Sequence, residues 1–204
     1  MSLFPAFLKL AGRRCLVIGA GAVGEEKIEG LLCAGADVDV VAPRATRRVR
    51  AWARDGKLRW KPTKFRPSDL QGTFLVVAAT NSPELHEKIY REARRRGVLT
   101  NAVDDPPNCD FYYGAVVRRG NLQIAISTGG HSPALAQRLR KHLERQFRAE
   151  YGLWLEELGK EREKLFAKPM DPARRRRMLH RLASQRSFDE FLRRRKPKRK
   201  KVQP

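Results

Sequence analysis

The 204-residue chain lacks several features that would mark specialised classes of protein. Its three cysteines, Cys15, Cys33 and Cys109, are an odd number without CxxC spacing, which argues against a disulfide framework and against a zinc site. No apolar run reaches membrane-spanning length, and residues 1–14 lack the charge order of a secretory signal. We therefore expect a cytoplasmic protein with no membrane association and no resident metal.

Acidic residues are also scarce, because 22 Asp and Glu stand against 44 Lys and Arg and leave a net charge of +22. Residues 174–204 hold 14 of the basic residues and two acids, a surplus of 12. Such a surplus could neutralise nucleic-acid phosphates. The final basic run has no aromatic residue to stack on bases, so we expect a solvated tail and no nucleic-acid partner. Positive charge elsewhere would suit a polyanionic small substrate.

Strand and helix patterns alternate through the first half of the chain. The runs "CLVIG", "DVDVVA" and "TFLVVAAT" are typical of strands that are covered on both faces. A helical pattern follows each of them. This alternation predicts an α/β fold, a Rossmann-type doubly wound parallel sheet. After Asp110 the segments "FYYGAVV" and "LQIAIST" flank a glycine-containing turn and predict a β-hairpin, and the remainder is helical.

The first strand ends in Gly19-Ala20-Gly21-Ala22-Val23-Gly24, and a helix begins there. In this context the GxGxxG spacing predicts a dinucleotide site. Gly19 permits the tight turn, Gly21 lets the backbone approach a pyrophosphate, and Gly24 lets helix and strand pack closely. The helix N-terminus faces the anion with its free N–H groups. The alternative is a close strand–helix crossing without a ligand.

The acid that usually binds the ribose at the end of the second strand is missing. That place holds Ala42 and Pro43, followed by Arg44. Asp39 comes too early and, by alternation, would point into a sheet face. Arg44 could bind a 2′-phosphate, so the residues alone leave NAD and NADP as alternatives.

Polar residues follow two later strands at the edge where ligands of open α/β sheets lie. Thr80 closes the strongest strand and is predicted to line the cofactor site. Asn101, Asp104 and Asp105 close the next strand, and Asn101 is predicted to contact the substrate. An aspartate there could take a proton as a hydride leaves. The alternative is a loop in which the acids and prolines only form turns.

The loop "STGGHSP" runs into a helix N-terminus and could hold substrate carboxylates. Its candidate contacts are Ser127, Thr128 and His131, and His131 could donate a hydrogen bond or bind a metal. The other histidines, His86, His142 and His180, are predicted to face solvent. Cys109 is predicted to be a packed thiol.

The helix after this loop has one apolar stripe, in which Leu135, Leu139, Leu143 and Phe147 recur every four residues. The spacing fits a dimer surface and equally fits packing on the first domain. We predict four regions: an NAD-binding Rossmann domain at 1–113, a hairpin and helix dimerisation region at 114–148, a helical domain at 149–192 and a basic tail at 193–204.

These segments together resemble a known family. The stretches "FPAFLKLAGRRCLVIGAGAVGEEKIEGLLCAGADVDVVAP", "FLVVAATNSPELHEKI", "NAVDDPPNCDF" and "LQIAISTGGHSPALAQRLR" resemble the precorrin-2 dehydrogenase module of siroheme synthase, which in some members is also a sirohydrochlorin ferrochelatase. The likeness runs from about Phe4 to Glu150 in order and spacing. The last part of the chain resembles the family only in being helical.

The resemblance implies NAD-dependent oxidation of precorrin-2 to sirohydrochlorin, followed in some members by insertion of ferrous iron. It also implies a homodimer in which hairpin and helix are exchanged. The family's key acid falls on Asp104, and its nucleotide contacts fall on Ala22, Val23, Pro43 and Arg44. Whether this chain inserts iron stays open.

Two features depart from the family pattern. The very basic tail is not something the family requires, and this sequence has no methyltransferase domain. The alternative function is a dinucleotide-sensing regulatory protein whose tail binds nucleic acid. The stretches "NAVDDPPNCDF" and "STGGHSP" favour the enzyme, because a sensor has no need of them.

Overall fold

The alternating pattern of the first half of the chain builds a parallel sheet. The structure, a computed structural model, describes residues 3–195. The strands are β1 (Arg14–Ala20), β2 (Asp37–Ala45), β3 (Arg59–Lys61), β4 (Leu75–Ala78) and β5 (Leu99–Ala102), and the helices between them are α1 (Ala22–Cys33), α2 (Arg47–Arg54) and α3 (Pro83–Arg94). The strand order is β3-β2-β1-β4-β5, and every neighbouring pair is parallel.

Both faces of this sheet are covered. Along β1, Cys15 and Val17 join a buried cluster that contains α1 and α2 residues, while Leu16 and Ile18 join a second cluster with α3. A fully buried aliphatic side chain contributes about 1.5–3 kcal/mol, so a strand buried on both faces is strongly favoured. The predicted doubly wound sheet, with a hairpin and helices after it, is confirmed.

Capping residues set the starts of the helices. The hydroxyl of Thr46 accepts a hydrogen bond from Val49 N at the start of α2, and Ser82 does the same for Leu85 N at the start of α3. Pro83 occupies the first position of α3, where the absence of an N–H has no cost. The first turn of α3 carries Glu84, and its last turn carries two arginines, as the helix dipole favours.

Asp39 lies on a sheet face, as the alternation predicts. Its side chain is 12% exposed and pairs with two guanidinium groups, at 2.6 Å from Nε of Arg14 and 2.5 Å from Nε of Arg59. The hydrogen bond with Asp39, followed by its charge, raises the pKa of Arg59. The side chain of Asp39 therefore connects β1, β2 and β3. It is paired with these two arginines and does not lie at the carboxyl end of β2, where a ribose would bind.

The second half of the chain opens with an antiparallel hairpin. Strands β6 (Ala115–Arg119) and β7 (Leu122–Ile126) pair in register around Gly120, which has φ +57°. As far as Arg195, four helices follow the hairpin: α4 (Pro133–Gln146), α5 (Ala149–Phe166), α6 (Pro172–Leu182) and α7 (Gln185–Arg195).

The helices of this half pack on the hairpin and on one another. A Cβ at Gly152 of α5 would lie 2.6 Å from the carbonyl oxygen of Arg119, so helix and hairpin are in close contact there. The Arg119 guanidinium donates to the carbonyls of Phe147 and Glu144 at the end of α4. An aromatic cluster, in which Phe188 lies between Tyr151 and Trp154, joins α5 to α7.

The contacts divide the chain into two compact units, with the boundary in sequence between Tyr113 and Gly114. We call them the nucleotide unit, Phe4–Tyr113, and the hairpin–helix unit, from Gly114 on. The predicted limits of the four regions stay predictions, and the part of the basic tail beyond Arg195 lies outside the described residues. Within 3–195, no helix combines the length and the apolar character needed to cross a bilayer.

Candidate functional site

The turn from Gly19 to Gly24, here called the glycine turn, is closed by backbone contacts that exclude side chains. Gly19 has φ +98°, and a Cβ there would lie 2.1 Å from the carbonyl oxygen of Ala79. A Cβ at Gly24 would lie 2.3 Å from the carbonyl oxygen of Gly19. At Gly21, in contrast, a Cβ would meet no atom within 4 Å. The glycine turn is therefore closely packed at Gly19 and Gly24 and open at Gly21, where a pyrophosphate would approach.

The helix that leaves the glycine turn presents N–H groups to that open side. Glu25 N donates the first helical hydrogen bond to Gly21 O at 2.8 Å, so the N–H groups of Ala22, Val23 and Gly24 have no helical carbonyl to bond. Ala22 and Val23 are exposed. N–H groups and a dipole aimed at one point bind phosphate oxygens. These residues fit the pyrophosphate of a dinucleotide.

The ends of β2 and β4 lie beside the glycine turn. Ala45 pairs with Ala20, and Thr46 N donates to Ala20 O at 3.0 Å, which places the exposed Pro43 and Arg44 next to this edge. On the other side, the Thr80 methyl lies 3.2 Å from the position of a Cβ on Gly19. The structure thus brings the predicted cofactor residues together at the carboxyl edge of the sheet.

Asp104 lies at the same edge, in the segment 103–110 that we call the acid loop. It directly follows β5, which is two strands from β1 and hence about 10 Å away. Asp104 is exposed and has φ +58°, the one such value on a non-glycine residue in 3–195. This conformation costs on the order of 1–3 kcal/mol, so the rest of the loop must impose it.

Asp105 is engaged inside the acid loop, unlike its neighbour. Its Oδ2 accepts a hydrogen bond from Asn108 Nδ2 at 2.9 Å and lies 3.2 Å from Nδ1 of His86. Its backbone carbonyl accepts from Asn108 N. Among the described residues, the Asp104 carboxylate makes no hydrogen bond or ion pair. Of these two neighbouring aspartates, Asp105 therefore holds the acid loop, and Asp104 has a free carboxylate.

Further side chains fasten the acid loop to β5. The Cys109 sulfur lies 3.3 Å from Ala102 N and 3.1 Å from Ala102 O, and desolvation raises the pKa of this thiol. Asn101 is buried and donates from Nδ2 to Phe111 O at 2.8 Å. Asp110 accepts from Thr100 N at 3.0 Å. Cys109 is a packed thiol, as predicted, while the predicted contact of Asn101 with substrate stays a prediction.

The other predicted substrate residues lie in the hairpin–helix unit, after β7. Ser127 Oγ accepts from Gly129 N at 3.1 Å, and Thr128 Oγ1 accepts from Ser132 N at 3.2 Å. A hydroxyl that accepts in this way keeps its own hydrogen free to donate. His131 is exposed. This loop can therefore offer several donors to an anion, and its contact with substrate stays a prediction.

The prediction that His86 faces solvent is wrong, because this residue is only 4% exposed. His86 shares the buried face of α3 with Ile89 and Ala93, three and seven residues further on, and that helical spacing was the signal for its burial. His142 and His180 are exposed, as predicted. In residues 3–195, no group of three or more His, Cys, Asp or Glu side chains is arranged to hold a metal ion.

Two family models match the chain. Residues 6–115, more than half of the sequence, match the family described as putative NAD(P)-binding. Residues 119–146 match the central part of sirohaem biosynthesis proteins. The prediction of NAD as cofactor is confirmed at the level of this NAD(P)-binding family.

Curated relatives are siroheme synthases. That of Nitrosococcus oceani is 39% identical over 152 residues, which is 74% of this chain and 32% of the relative. Siroheme synthase 1 of Pectobacterium atrosepticum is 38% identical over 182 residues, 89% of this chain and 38% of the relative. The chain thus spans about a third of the length of these relatives.

A solved structure resembles the chain over nearly its whole length. It is that of SirC, a precorrin-2 dehydrogenase, with a TM-score of 0.76 and 27% identity, covering 94% of this chain and 98% of the other. The resemblance to the siroheme synthase module is confirmed. The chain belongs to the NAD(P)-binding family that its residues 6–115 match, and it carries the central segment of sirohaem biosynthesis proteins directly after that domain.

Proposed function

We propose that this chain oxidises precorrin-2 to sirohydrochlorin with NAD as the acceptor. Support comes from the names of its relatives, which are siroheme synthases and a precorrin-2 dehydrogenase. The observation that carries the proposal is the free carboxylate of Asp104 at the sheet edge that also holds the glycine turn. A dehydrogenase needs a dinucleotide cradle and a base within one cleft.

Removal of two hydrogens from the tetrapyrrole needs a place for a hydride and a place for a proton. A dinucleotide held at the glycine turn would supply the hydride acceptor. The carboxylate of Asp104 takes the proton, and solvent receives it afterwards because this side chain is exposed. The net products are sirohydrochlorin, NADH and one proton.

The chain's own residues bind and orient the two reactants. N–H groups of Ala22 and Val23 hold the pyrophosphate, and Pro43, Arg44 and Thr80 border the cofactor. The hydroxyls of Ser127 and Thr128, with His131, donate to the carboxylates of the tetrapyrrole. Asn101 completes the predicted substrate contacts. The net charge of +22 attracts a polycarboxylate of this kind.

A homodimer is part of the proposal. Two leucines of the α4 stripe, Leu135 and Leu139, are 44% and 39% exposed, and an apolar row of this kind favours association. Sedimentation of Leu135→Glu/Leu139→Glu should give the monomer mass, whereas the unaltered chain should give twice that mass. A monomeric unaltered chain would remove this part of the proposal.

The decisive assay is anaerobic incubation with precorrin-2 and either NAD or NADP, followed by absorbance with and without ferrous iron. Appearance of sirohydrochlorin that requires the dinucleotide supports the proposal. No absorbance change with either dinucleotide would contradict it. The arm with ferrous iron reports metal insertion, in which iron is a substrate.

Deletion of residues 193–204 separates the enzyme from the dinucleotide-sensing alternative. The enzyme should keep its kinetics without the basic tail, whereas a sensor that acts through nucleic acid should lose function. The three free cysteines favour a reducing compartment, so we include a cytoplasmic location in the proposal.

A further inference from the structure

The acid loop rests on a histidine that no part of the proposed chemistry uses. His86 lies in the first turns of α3 with its side chain 5% exposed, and its Nδ1 is 3.2 Å from Oδ2 of Asp105. An ionised carboxylate can only accept a hydrogen bond, so Nδ1 of His86 carries a hydrogen in this pair. His86 therefore donates to the residue that follows Asp104.

The other ring nitrogen shows that this pairing is the polar role of His86. Among the described residues, Nε2 is buried and has no hydrogen-bond partner. Burial of a polar atom without a partner carries a penalty. An aliphatic residue would fill the same place beside Ile89 and Ala93 without this penalty.

Asp105 transmits the position of His86 to its neighbour. Its carboxylate is shared between His86 and Asn108, and its backbone carbonyl accepts from Asn108 N at 3.0 Å and from Cys109 Sγ at 3.3 Å. These contacts fix the backbone that follows Asp104, where φ is +58°. An aspartate released from them would relax to a negative φ and turn its carboxylate elsewhere.

We infer that His86 is a positioning residue, which holds Asp105 and through it aims the carboxylate of Asp104 at the reacting hydrogen. The inference rests on the proposed function for the identity of the reaction. It assigns to a buried helix residue a role in the rate of proton transfer, separate from the binding of dinucleotide or tetrapyrrole.

Two substitutions at His86 separate positioning from packing. His86→Leu keeps an apolar side chain of similar reach and removes the donor, whereas His86→Asn places an amide N–H close to where Nδ1 lies. We expect His86→Leu to lower kcat about 10–100-fold, the cost of a misplaced catalytic group, with unchanged KM for both substrates. His86→Asn should stay within about threefold of the unaltered chain because it still donates. The control variant is His180→Leu, because His180 is an exposed histidine of α6.

Hydrogen exchange provides a readout that does not depend on activity. In His86→Leu, the amides of Asn108, Cys109 and Asp110, which donate within this part of the fold, should exchange faster, while those of β1 and α1 keep their rates. His86→Asn should keep the slow exchange. If His86→Leu leaves both the loop exchange and kcat unchanged, or changes only one of them, His86 is not a positioning residue.

The coupling with Asp104 completes the test. If His86 acts through Asp104, His86→Leu should produce little further loss of kcat in an Asp104→Asn background. Losses that multiply would overturn the inference. A failure of the proposed function looks different, because the unaltered chain would then show no dehydrogenation while the loop exchange still responds to His86→Leu.

Discussion

The glycine turn and the acid loop lie at one edge of the same sheet and are held in opposite ways. The turn is formed by the absence of side chains, since a Cβ at Gly19 or Gly24 would overlap a backbone oxygen. The loop is formed by the presence of side chains, since His86, Asp105 and Asn108 hold it through polar contacts.

This difference separates the part of the site that binds the dinucleotide from the part that carries out the reaction. A backbone cradle needs no charged side chain and fits any pyrophosphate, so it can be shared by many dinucleotide proteins. A free carboxylate in an uncommon backbone conformation has to be held by neighbours of particular types. We therefore expect substitutions in the glycine turn to change dinucleotide affinity or folding, and substitutions in the acid loop to change turnover.

The largest expected effect is at Asp104. Asp104→Ala should lower kcat about 10²–10⁴-fold, the usual contribution of general base catalysis, with little change in the Kd for NAD. Asp104→Asn should lose as much, although asparagine tolerates a positive φ. That pair distinguishes a lost base from a disturbed backbone. The control is Asp55→Asn, at an exposed acid after α2, which should keep the unaltered rate. Normal turnover in Asp104→Ala would show that the acid loop does not provide the base.

The glycine turn gives the next largest effect. Gly19→Ala should lower the free energy of unfolding by about 2–5 kcal/mol, because the new Cβ meets Ala79 O and the residue keeps an unfavourable φ. Gly21→Ala should leave that free energy within about 1 kcal/mol, since nothing lies near the new Cβ.

Thermal unfolding and NAD titration together test this contrast between the two glycines. Gly21→Ala should weaken NAD binding while folding is preserved, because its methyl group stands where the pyrophosphate approaches. Equal stability of the Gly19 and Gly21 variants would show that the turn is not closed by the contact with Ala79.

The same contrast explains what the sequence could predict. Strand runs and the glycine spacing are local signals, so the parallel sheet, the hairpin and the cradle could be predicted. An aspartate of the acid loop could be proposed from its place after a strand, and the family resemblance selected Asp104. The division of labour between Asp104 and Asp105 could not, because it depends on His86, which is 19 residues from Asp105 in sequence.

His86 also shows how a missed signal arises. Residue type alone predicts that a histidine on a helix faces solvent, yet the spacing of His86 to Ile89 and Ala93 places it on the apolar face. Periodicity was the better guide there than residue type. In the hairpin–helix unit, Leu135 and Leu139 of the predicted stripe are exposed, and the surface that covers them stays a prediction.

Arg44 sharpens the comparison further, because it is an exposed charged residue at the sheet edge that holds the glycine turn. We expect the unaltered chain to bind NADP detectably, with Arg44 near the 2′-phosphate. Arg44→Asp should lower the affinity for NADP about 10-fold relative to that for NAD, through repulsion of the phosphate and hydrogen bonding to the ribose. Arg50→Asp, an exposed position on α2, is the matched control. An unchanged ratio of the two affinities would place Arg44 outside the cofactor site.

The smallest expected effect concerns the thiols. Burial, followed by the charge of Asp37, raises the pKa of Cys15 to about 11, and Cys109 is also shifted upward, whereas Cys33 is exposed. The thiolate is the form that reacts with alkylating agents, so at pH 8 the order of modification should be Cys33, then Cys109, then Cys15. Peptide mapping after timed alkylation measures this order. Modification of Cys33 should leave turnover unchanged, because Cys33 lies at the far end of α1 from the glycine turn.

The same alkylation in His86→Leu tests whether the acid loop can loosen by itself. This variant should accelerate the alkylation of Cys109 only, because that thiol bonds to the loop that His86 holds. Faster modification of Cys15 in the same variant would mean that the sheet has loosened, and the acid loop could then no longer be treated as separate from the glycine turn.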